Sequence, residues 1–354
     1  MNKYELSSLD SWNIFPSSQA AIIAGPCSAE SREQVLQSAA ILKDDGISVM
    51  RAGLWKPRTH PDSFEGFGEK AMPWLLEAKE VFGLRLCTEA ASAAHVETCL
   101  KAGIDAIWIG ARTSTNPFLV SEIAAALRGS SIPVLIKNPV NPDIDLWSGA
   151  IERLLEAGVT RIGLIHRGFT VFEKTKLRNS PLWQLAIDMR SRFPQIPMFC
   201  DPSHICGDSS LVPSISQRAM DLGFEGLIVE VHPRPSEALS DSKQQLDAEQ
   251  FSSLLKGLRV REKSDSGASR ELAILRERID SLDDELLEII ARRMEVSREI
   301  GVLKKERNIS IIQPSRWDEV LDAAIKKAAD CGLDKDFASA LFNLIHEKSI
   351  EQQG

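Results

Sequence analysis

The sequence predicts an α/β fold, a (β/α)8 TIM barrel followed by a small all-α domain of three helices that dimerises. Two observations predict the barrel: short apolar runs alternate with stretches of helical period, and eight such units fit within about 240 residues. A third observation predicts the helical domain, because the chain from Arg270 to about Arg307 contains no Pro and repeats Leu and Ile at helical spacing. A doubly wound open sheet is the weaker alternative for the first part.

The strands are predicted from eight apolar runs. Segments between them, such as SREQVLQSAAILKDDG and WSGAIERLLEAG, place apolar residues at helical spacing and end in Gly, which commonly stops a helix. The predicted strand runs are AIIAGPC (21–27), SVMRAG (48–53), RLCTEA (85–90), AIWIGA (106–111), PVLIKN (133–138), RIGLIHRG (161–168), PMFCDPS (197–203) and GLIVEVH (226–232).

The domain boundaries follow from a change in composition after residue 258. The stretch RVREKSDSGAS is charged and Ser-rich, which predicts an exposed linker over 259–269 between a barrel of residues 1–258 and helices over 270–354. The first helix would be roughly 55 Å long, too long to bury itself in a domain of this size. Shorter helices are predicted over 314–330 and 334–352. The long helix therefore predicts a homodimer through the helical domain or a larger homo-oligomer.

Composition excludes several classes of function. The formal net charge of -8 disfavours nucleic acid and an anionic membrane surface as partners. No signal peptide or membrane span is recognisable, so we expect a cytoplasmic protein. The six Cys are irregularly spaced, which indicates free thiols rather than a disulfide framework. Cys87, Cys99 and Cys331 are expected to be small core residues.

Four residues at predicted strand ends could form one divalent-metal site. They lie in GPCS after the first strand, DPSH after the seventh, VEVHP at the eighth and ALSDSKQQLD beyond it. One thiolate, one imidazole and two carboxylates suit Mn, Fe, Co or Zn without selecting among them. The candidate ligands are Cys27, His204, Glu230 and Asp241. His232, two residues after Glu230 on the same strand face, is a rival ligand or a supporting group.

Cations gather at the same strand ends, whereas an ordinary surface would place most of them on the outer helices. Arg offers a planar fork to phosphate or carboxylate and Lys offers a compact charge, so this cluster predicts a multiply anionic substrate. The candidate residues are Arg51, Lys56, Arg58, Arg112, Lys137 and Arg167.

The motifs GPCS, KPRT, GART, IKNP, HRG, DPSH and VEVHP occur in the order and spacing of the 3-deoxy-D-arabino-heptulosonate 7-phosphate (DAHP) synthases. Residues 15–258 resemble the short microbial type I subgroup of that family. The resemblance implies metal-dependent condensation of phosphoenolpyruvate with erythrose 4-phosphate, the first step of the shikimate pathway. It implies that Cys27, His204, Glu230 and Asp241 bind the metal. It assigns phosphoenolpyruvate to Arg51, Lys56, Arg112, Lys137 and Arg167, and the phosphate of erythrose 4-phosphate to Arg58 and Thr59.

A related family makes an eight-carbon sugar acid phosphate from arabinose 5-phosphate. Its members carry a loop resembling KANRSS where this chain has KPRT, and this difference favours the four-carbon aldose.

The predicted long helix carries its own polar positions. Arg293 and Lys304 are eleven residues apart, so they project from one face roughly 16 Å apart, whereas Arg276 faces about 100° away. Ser349 and Gln353 lie one turn apart on the last helix.

These positions match the all-helical chorismate mutases over about 268–354, in LRERIDSLDDELLEIIARR, GVLKK and the final SIEQQ. The resemblance implies that Arg276 of one chain and Arg293 of the other bind the carboxylates of chorismate. Lys304 and Gln353 would donate to its ether oxygen, with Arg316 and Ser349 making further polar contacts.

This chain departs from the mutase pattern at two positions. Trp317 replaces an acidic residue that holds the substrate hydroxyl in many members, and Gln313 replaces an Asp. Asp318, Glu319 or the backbone could substitute, or mutase activity could be reduced. The alternative hypothesis is therefore that the helical domain is mainly an allosteric chorismate or prephenate sensor and dimerisation module.

Overall fold

In the computed structural model, the residues described are 6–16, 20–57, 63–172, 176–261, 270–312 and 314–353. They form two compact units, Met1–Lys263 and Ser264–Gly354. None of the helices in these ranges is long and apolar enough to cross a membrane.

The first unit is a closed barrel of eight parallel strands, which confirms the predicted fold class. Each strand pairs with the next, and the last pairs with the first. The strands are β1 (Ala21–Gly25), β2 (Val49–Arg51), β3 (Arg85–Glu89), β4 (Ala106–Ile109), β5 (Val134–Lys137), β6 (Ile162–His166), β7 (Met198–Cys200) and β8 (Gly226–Glu230).

Helices surround the barrel, and several of them begin at a residue whose side chain caps the helix. Ser31 accepts a hydrogen bond from the backbone of Gln34, and Asp247 forms a capping box with Gln250. The helices of this unit are α1 (Arg32–Asp44), α2 (Met72–Phe82), α3 (Ala93–Ala102), α4 (Pro117–Ala126), α5 (Ile144–Glu156), α6 (Trp183–Arg192), α7 (Pro202–Cys206), α8 (Val212–Asp221) and α9 (Ala248–Gly257).

Two apolar layers hold the barrel together. The outer layer lies between strands and helices, and a smaller inner layer fills the barrel. A segment before β1 closes the end where the strands begin: the Trp12 ring lies against Gly163, and Phe15 packs on Phe199 with ring centroids 5.9 Å apart. The barrel interior is therefore packed at its amino-terminal end, and the carboxyl-terminal mouth, where barrel enzymes carry their active sites, is the place to look for a site.

The second unit consists of α10 (Arg270–Glu306), α11 (Pro314–Asp330) and α12 (Lys335–Gln353), with α12 packed against both others. The predicted long helix is present, with 37 residues. Large apolar side chains along it are exposed, including Leu275, Ile279, Leu282 and Leu286. One chain therefore leaves much of the apolar surface of α10 uncovered.

Two expectations need correction. The predicted strand runs extend past the observed strand ends, because they include the apolar and charged residues of the loops at the mouth. Cys331, expected in the core, is exposed because it lies in the turn that follows α11; the other five Cys are buried and all six are free.

Candidate active sites

Side chains two positions apart on a strand lie on the same face, and this alternation places charged residues at the mouth of the barrel. Residues that fill the inner layer are followed, two positions later, by charged residues on the same face. The pairs, inner residue then mouth residue, are Val49 and Arg51, Cys87 and Glu89, Leu135 and Lys137, Ile165 and Arg167, Phe199 and Asp201, and Ile228 and Glu230. All six charged members are less than 9% exposed. The barrel therefore concentrates charge where its packed interior ends.

Three of the four predicted metal ligands form a compact group. One donor atom each from Cys27, Glu230 and Asp241 lie within 4.8 Å of one another. The Cys27 thiol donates to Asp241 Oδ2 at 3.3 Å, and Glu230 Oε1 lies 3.0 Å from Arg51 Nη2. Ligands of one ion, at roughly 2.0–2.3 Å from it, lie at similar separations. The donor set therefore fits a divalent transition metal.

His204, the fourth predicted ligand, borders this group. Its Nε2 lies 3.9 Å from Glu230 Oε1, while Nδ1 is hydrogen-bonded to Asp201 at 3.0 Å. Burial lowers the pKa of His204 against the opposing effect of Asp201, so Nε2 can present a lone pair at neutral pH. A carboxylate that orients the far nitrogen is the usual support for a histidine ligand. His232 instead faces Glu30, at 3.6 Å.

The electrostatics keep the carboxylates ionised and the thiol protonated. Burial opposes ionisation of Glu230, but His204 and Arg51 outweigh it and lower its pKa. For Asp241, burial is likewise outweighed by His204 and Arg178, so its pKa is also lowered. Burial and the Glu230 charge raise the pKa of Cys27 to about 12. Binding of a metal would therefore displace a proton from this sulfur.

Lys56 is the cation nearest the thiol. Its Nζ donates to Cys27 Sγ at 2.8 Å and to Cys27 O at 3.2 Å. Burial disfavours its charge, but Cys27 and Glu230 outweigh burial and raise the pKa of Lys56. Lys56 is therefore a protonated donor beside the proposed ligands.

Arg51 is a buried cation with spare donors. It is 1% exposed, its Nη2 lies 3.0 Å from Glu230 Oε1, and its guanidinium carbon lies 4.9 Å from the centre of the Trp108 ring. Its Nε and Nη1 have no acceptor in the part of the chain that the structure describes. A buried guanidinium with two nitrogens that lack an acceptor is suited to an anionic ligand.

The other predicted cations reach the mouth from neighbouring strands. Lys137 pairs with Asp201 at 2.8 Å, and Arg167 donates to Asn179 at 3.0 Å. Burial lowers the pKa of Arg167 to about 10, with Arg112 among the nearby cations, so Arg167 stays charged at neutral pH. Arg112 is exposed in the turn after β4. Arg58 and Thr59 lie outside the described residues.

Sequence reasoning missed three polar groups at this mouth. Glu89 accepts from the Trp108 indole at 3.1 Å, Asp201 joins Lys137 to His204, and Arg178 donates to Asp241 at 3.1 Å. The period of two could have found Glu89 and Asp201. Arg178 comes from the loop after β6, and no local pattern marks it.

The helical unit brings four predicted residues together between α10 and α12. Arg293 donates to Ser349 Oγ, and Lys304 Nζ donates to Gln353 Oε1 at 3.1 Å. Gly301 lets α12 approach, since a Cβ there would lie 2.7 Å from Gln353 Cα. These contacts give a face with two cations, a hydroxyl and an amide.

The remaining helical candidates lie apart from that face. Arg276 is exposed on α10 and precedes Arg293 by 17 residues, about 25 Å along a helix. Arg316 is exposed and pairs with Glu319 at 2.8 Å. Trp317 stacks on His346 with ring centroids 3.8 Å apart. Gln313 lies outside the described residues.

A closed parallel barrel with charged side chains converging on its carboxyl-terminal mouth defines a barrel enzyme. Residues 15–264 match the model of the DAHP synthetase I family, and residues 275–354 match that of chorismate mutase type II. The chain therefore belongs to the DAHP synthetase I family, and it also carries a chorismate mutase domain, so both resemblances are confirmed.

The barrel is similar to named proteins of two kinds. A phospho-2-dehydro-3-deoxyheptonate aldolase of Thermotoga maritima is 39% identical over 238 residues, 67% of this chain and 68% of that protein. A 2-dehydro-3-deoxyphosphooctonate aldolase of Rhodopseudomonas palustris is 25% identical over 258 residues, 67% of this chain and 86% of that protein. A crystal structure of a Thermotoga maritima phospho-2-dehydro-3-deoxyheptonate aldolase (DAHP synthase) superimposes with a TM-score of 0.62 at 35% identity, covering 72% of this chain and 76% of that one.

Proposed function

We propose that the barrel condenses phosphoenolpyruvate with erythrose 4-phosphate, in a reaction that requires a divalent metal and releases inorganic phosphate. The observation that carries the proposal is the group of Cys27, Glu230 and Asp241 donor atoms within 4.8 Å of one another, directly beside the buried Arg51. A metal-ligand set and an anion-binding cation in one mouth match a reaction between two phosphorylated molecules. His204 would complete the ligand set.

The cations supply the electrostatic part of the reaction. Arg51, Lys137 and Arg167 would hold the carboxylate and phosphate of phosphoenolpyruvate, with Arg112 at the outer edge. The negative charge on the carboxylate and phosphate of phosphoenolpyruvate is redistributed as water adds to the substrate and phosphate leaves. Cations already fixed in a buried mouth stabilise such charge without reorganising.

The metal, when bound, supplies a Lewis acid that polarises the aldehyde of erythrose 4-phosphate for attack by the enol carbon of phosphoenolpyruvate. Lys56 keeps a proton on Nζ within 2.8 Å of Cys27 Sγ, so it can donate to an oxygen that reaches this place. Arg58 and Thr59 would bind the phosphate of the aldose.

The test is consumption of phosphoenolpyruvate by the purified full chain with Mn2+ and erythrose 4-phosphate. We expect Cys27→Ala to abolish turnover and Cys99→Ala, at another buried thiol in α3, to retain it. Arabinose 5-phosphate should be a poor substitute for erythrose 4-phosphate. Absence of turnover with erythrose 4-phosphate would refute the proposed reaction, and turnover by Cys27→Ala would refute the ligand assignment.

We further propose that the helical domain rearranges chorismate to prephenate in a homodimer. This pericyclic reaction needs no proton transfer, so positioned cations and donors are sufficient. Arg293 and Arg276 from opposite chains would bind the two carboxylates, while Lys304 and Gln353 would contact the ether oxygen. The separation of about 25 Å between the two arginines along α10 supports a site shared between chains.

Trp317 supports a second candidate function for this domain. It stacks on His346 where many mutases carry an acidic residue, so the domain could serve mainly as an allosteric sensor of chorismate or prephenate. Two measurements on the wild type and on Arg293→Ala distinguish a mutase from a sensor. They are the turnover of chorismate and the synthase rate with added prephenate. Arg298→Ala is the matched control, since Arg298 also donates from α10 to α12, at 2.9 Å. Prephenate inhibition without any chorismate turnover in the wild type would favour the sensor.

A further inference from the structure

Two adjacent glutamines in the loop after β8 are buried without a role in the chemistry above. Gln244 and Gln245 are each 1% exposed. Burying a primary amide is costly unless its donors and acceptor are hydrogen-bonded. The partners of these two amides therefore indicate what the loop is built to hold.

The loop backbone is fixed against the end of β8. Leu246 N donates to Glu230 O at 2.9 Å, and His232 N donates to Leu246 O at 2.9 Å. These bonds on both sides of Val231 set the register of the loop beside Glu230. Gln244, two residues before Leu246, is thereby held at the level of the Glu230 carboxylate.

Gln244 binds one oxygen of Glu230 and leaves the other toward the cations of the mouth. Its Nε2 donates to Glu230 Oε2 at 2.7 Å, whereas Oε1 forms an ion pair with Arg51 Nη2 at 3.0 Å. A 180° flip of the Gln244 amide would lose both of its hydrogen bonds, because its own Oε1 accepts from Arg178 at 2.7 Å. The same Arg178 nitrogen donates to Asp241 at 3.1 Å, so one chain of contacts links two proposed ligands.

Gln245 joins the loop to the third ligand. Its Oε1 accepts from Cys27 N at 3.0 Å, and its Nε2 donates to Ser240 O at 2.9 Å. Between these anchors Asp241 adopts a left-handed backbone with φ 47°, which is unfavourable for a non-glycine residue. The surrounding bonds must therefore maintain the position of Asp241.

We propose that Gln244 is a positioning residue for the metal, acting with Arg178 and Gln245 to assemble Glu230, Asp241 and Cys27 before the ion arrives. The inference rests on the proposed metal site. Loss of a group that orients a metal ligand typically weakens metal affinity by about 10- to 100-fold. We expect a loss of this size in Gln244→Leu, which keeps the volume of the side chain and removes its hydrogen bonds.

The test is a Co2+ titration of the full metal-free chain, followed by the thiolate-to-cobalt absorption band and by competition with a chelator. Gln34→Leu is the matched control. Gln34 is 6% exposed and also has a side-chain amide bonded on both sides, at 3.3 Å to Ser28 O and at 3.2 Å from Glu30 N, but it touches no proposed ligand. Thermal unfolding without metal measures the structural cost of each substitution.

We expect Gln244→Leu to bind Co2+ about 10- to 100-fold more weakly, with an altered absorption band, and Gln34→Leu to match the wild type. Equal affinity and spectrum in Gln244→Leu and the wild type would overturn the inference and leave the metal site standing. Equal weakening in both variants would also overturn it, because loss of any buried amide would then be sufficient. A wild type that binds no Co2+ through its thiolate would refute the metal site together with this inference.

Discussion

Gly301 is the point at which a single methyl group should separate the two activities. An alanine Cβ at this position would lie 2.7 Å from Gln353 Cα and 2.8 Å from Gln353 O. Both are backbone atoms of α12, so no side-chain rotation relieves the clash. Carbon atoms in contact prefer about 3.5–4.0 Å, and the end of α12 must therefore move by about 1 Å.

The cost to stability should be small and the cost to mutase activity large. Overpacking of this kind costs about 1–3 kcal/mol, and replacing a helical glycine with alanine returns about 1 kcal/mol. The helical unit should thus lose at most about 2 kcal/mol. Gln353 also accepts from Lys304 at 3.1 Å, and a shift of about 1 Å at a reacting centre can cost on the order of 100-fold in rate.

The assay is chorismate consumption by Gly301→Ala, with the synthase reaction of the same preparation measured in parallel. Gly257→Ala is the control, since a Cβ at the end of α9 meets no atom within 4 Å. We expect mutase turnover to fall by about two orders of magnitude in Gly301→Ala, with synthase turnover within about twofold of the wild type. Normal mutase turnover in a folded Gly301→Ala would refute the proposed role of Gln353.

Two further predictions concern the stability of the barrel. Burial lowers the pKa of His166 to about 3 from its usual 6.5, with Arg167 acting in the same direction and Asp201 opposing. Between pH 6.5 and 3 the unfolded chain binds a proton that the folded chain does not, so stability falls by about 1.4 kcal/mol per unit as the pH falls. His166→Phe should reduce the difference in urea-unfolding free energy between pH 7 and pH 5 by about 2 kcal/mol, and an unchanged difference would contradict this account. Lys137→Met should cost about 3–5 kcal/mol in urea unfolding, because it leaves the buried Asp201 without its 2.8 Å partner. Lys79→Met removes a 2.7 Å pair in which Lys79 is 30% exposed and should cost under about 1 kcal/mol; equal losses would show that burial is not the deciding factor.

Periodic signals made the fold predictable. The eight strand runs and the Pro-free stretch that becomes α10 each repeat over many residues, so a single unusual residue does not hide them. The ends of the strands were less certain. Val231 and His232 look like a continuation of β8 but already belong to the loop, where they pair with Leu246.

The charged mouth was only partly predictable, because many of its contacts join residues that are far apart in the sequence. Arg51 and Lys137 follow apolar strands and could be found from sequence, as could Asp201 with a stricter use of the strand period. Arg178 and Gln244 are 66 residues apart and meet only when the loops after β6 and β8 close over the mouth. Nothing in the sequence near either residue records that contact.

The helical site shows the same limit. The spacing of Arg293 and Lys304 on α10 predicted a shared face, but the contact between Gly301 and Gln353 depends on how α12 packs. The stacking of Trp317 on His346 likewise joins two helices. Spacing along one helix carries no information about its neighbour.

The amino-terminal end of the barrel, which Trp12 and Phe15 close, has a kinetic consequence. Reactants can enter the described barrel only through its mouth. A site with one entrance fills from its closed end outward. If Arg51 and Lys137 hold one reactant, as proposed, that reactant must arrive before a second one covers it. Steady-state rates with both substrates varied should therefore follow an ordered sequence, in which the outer reactant alone does not protect the inner site.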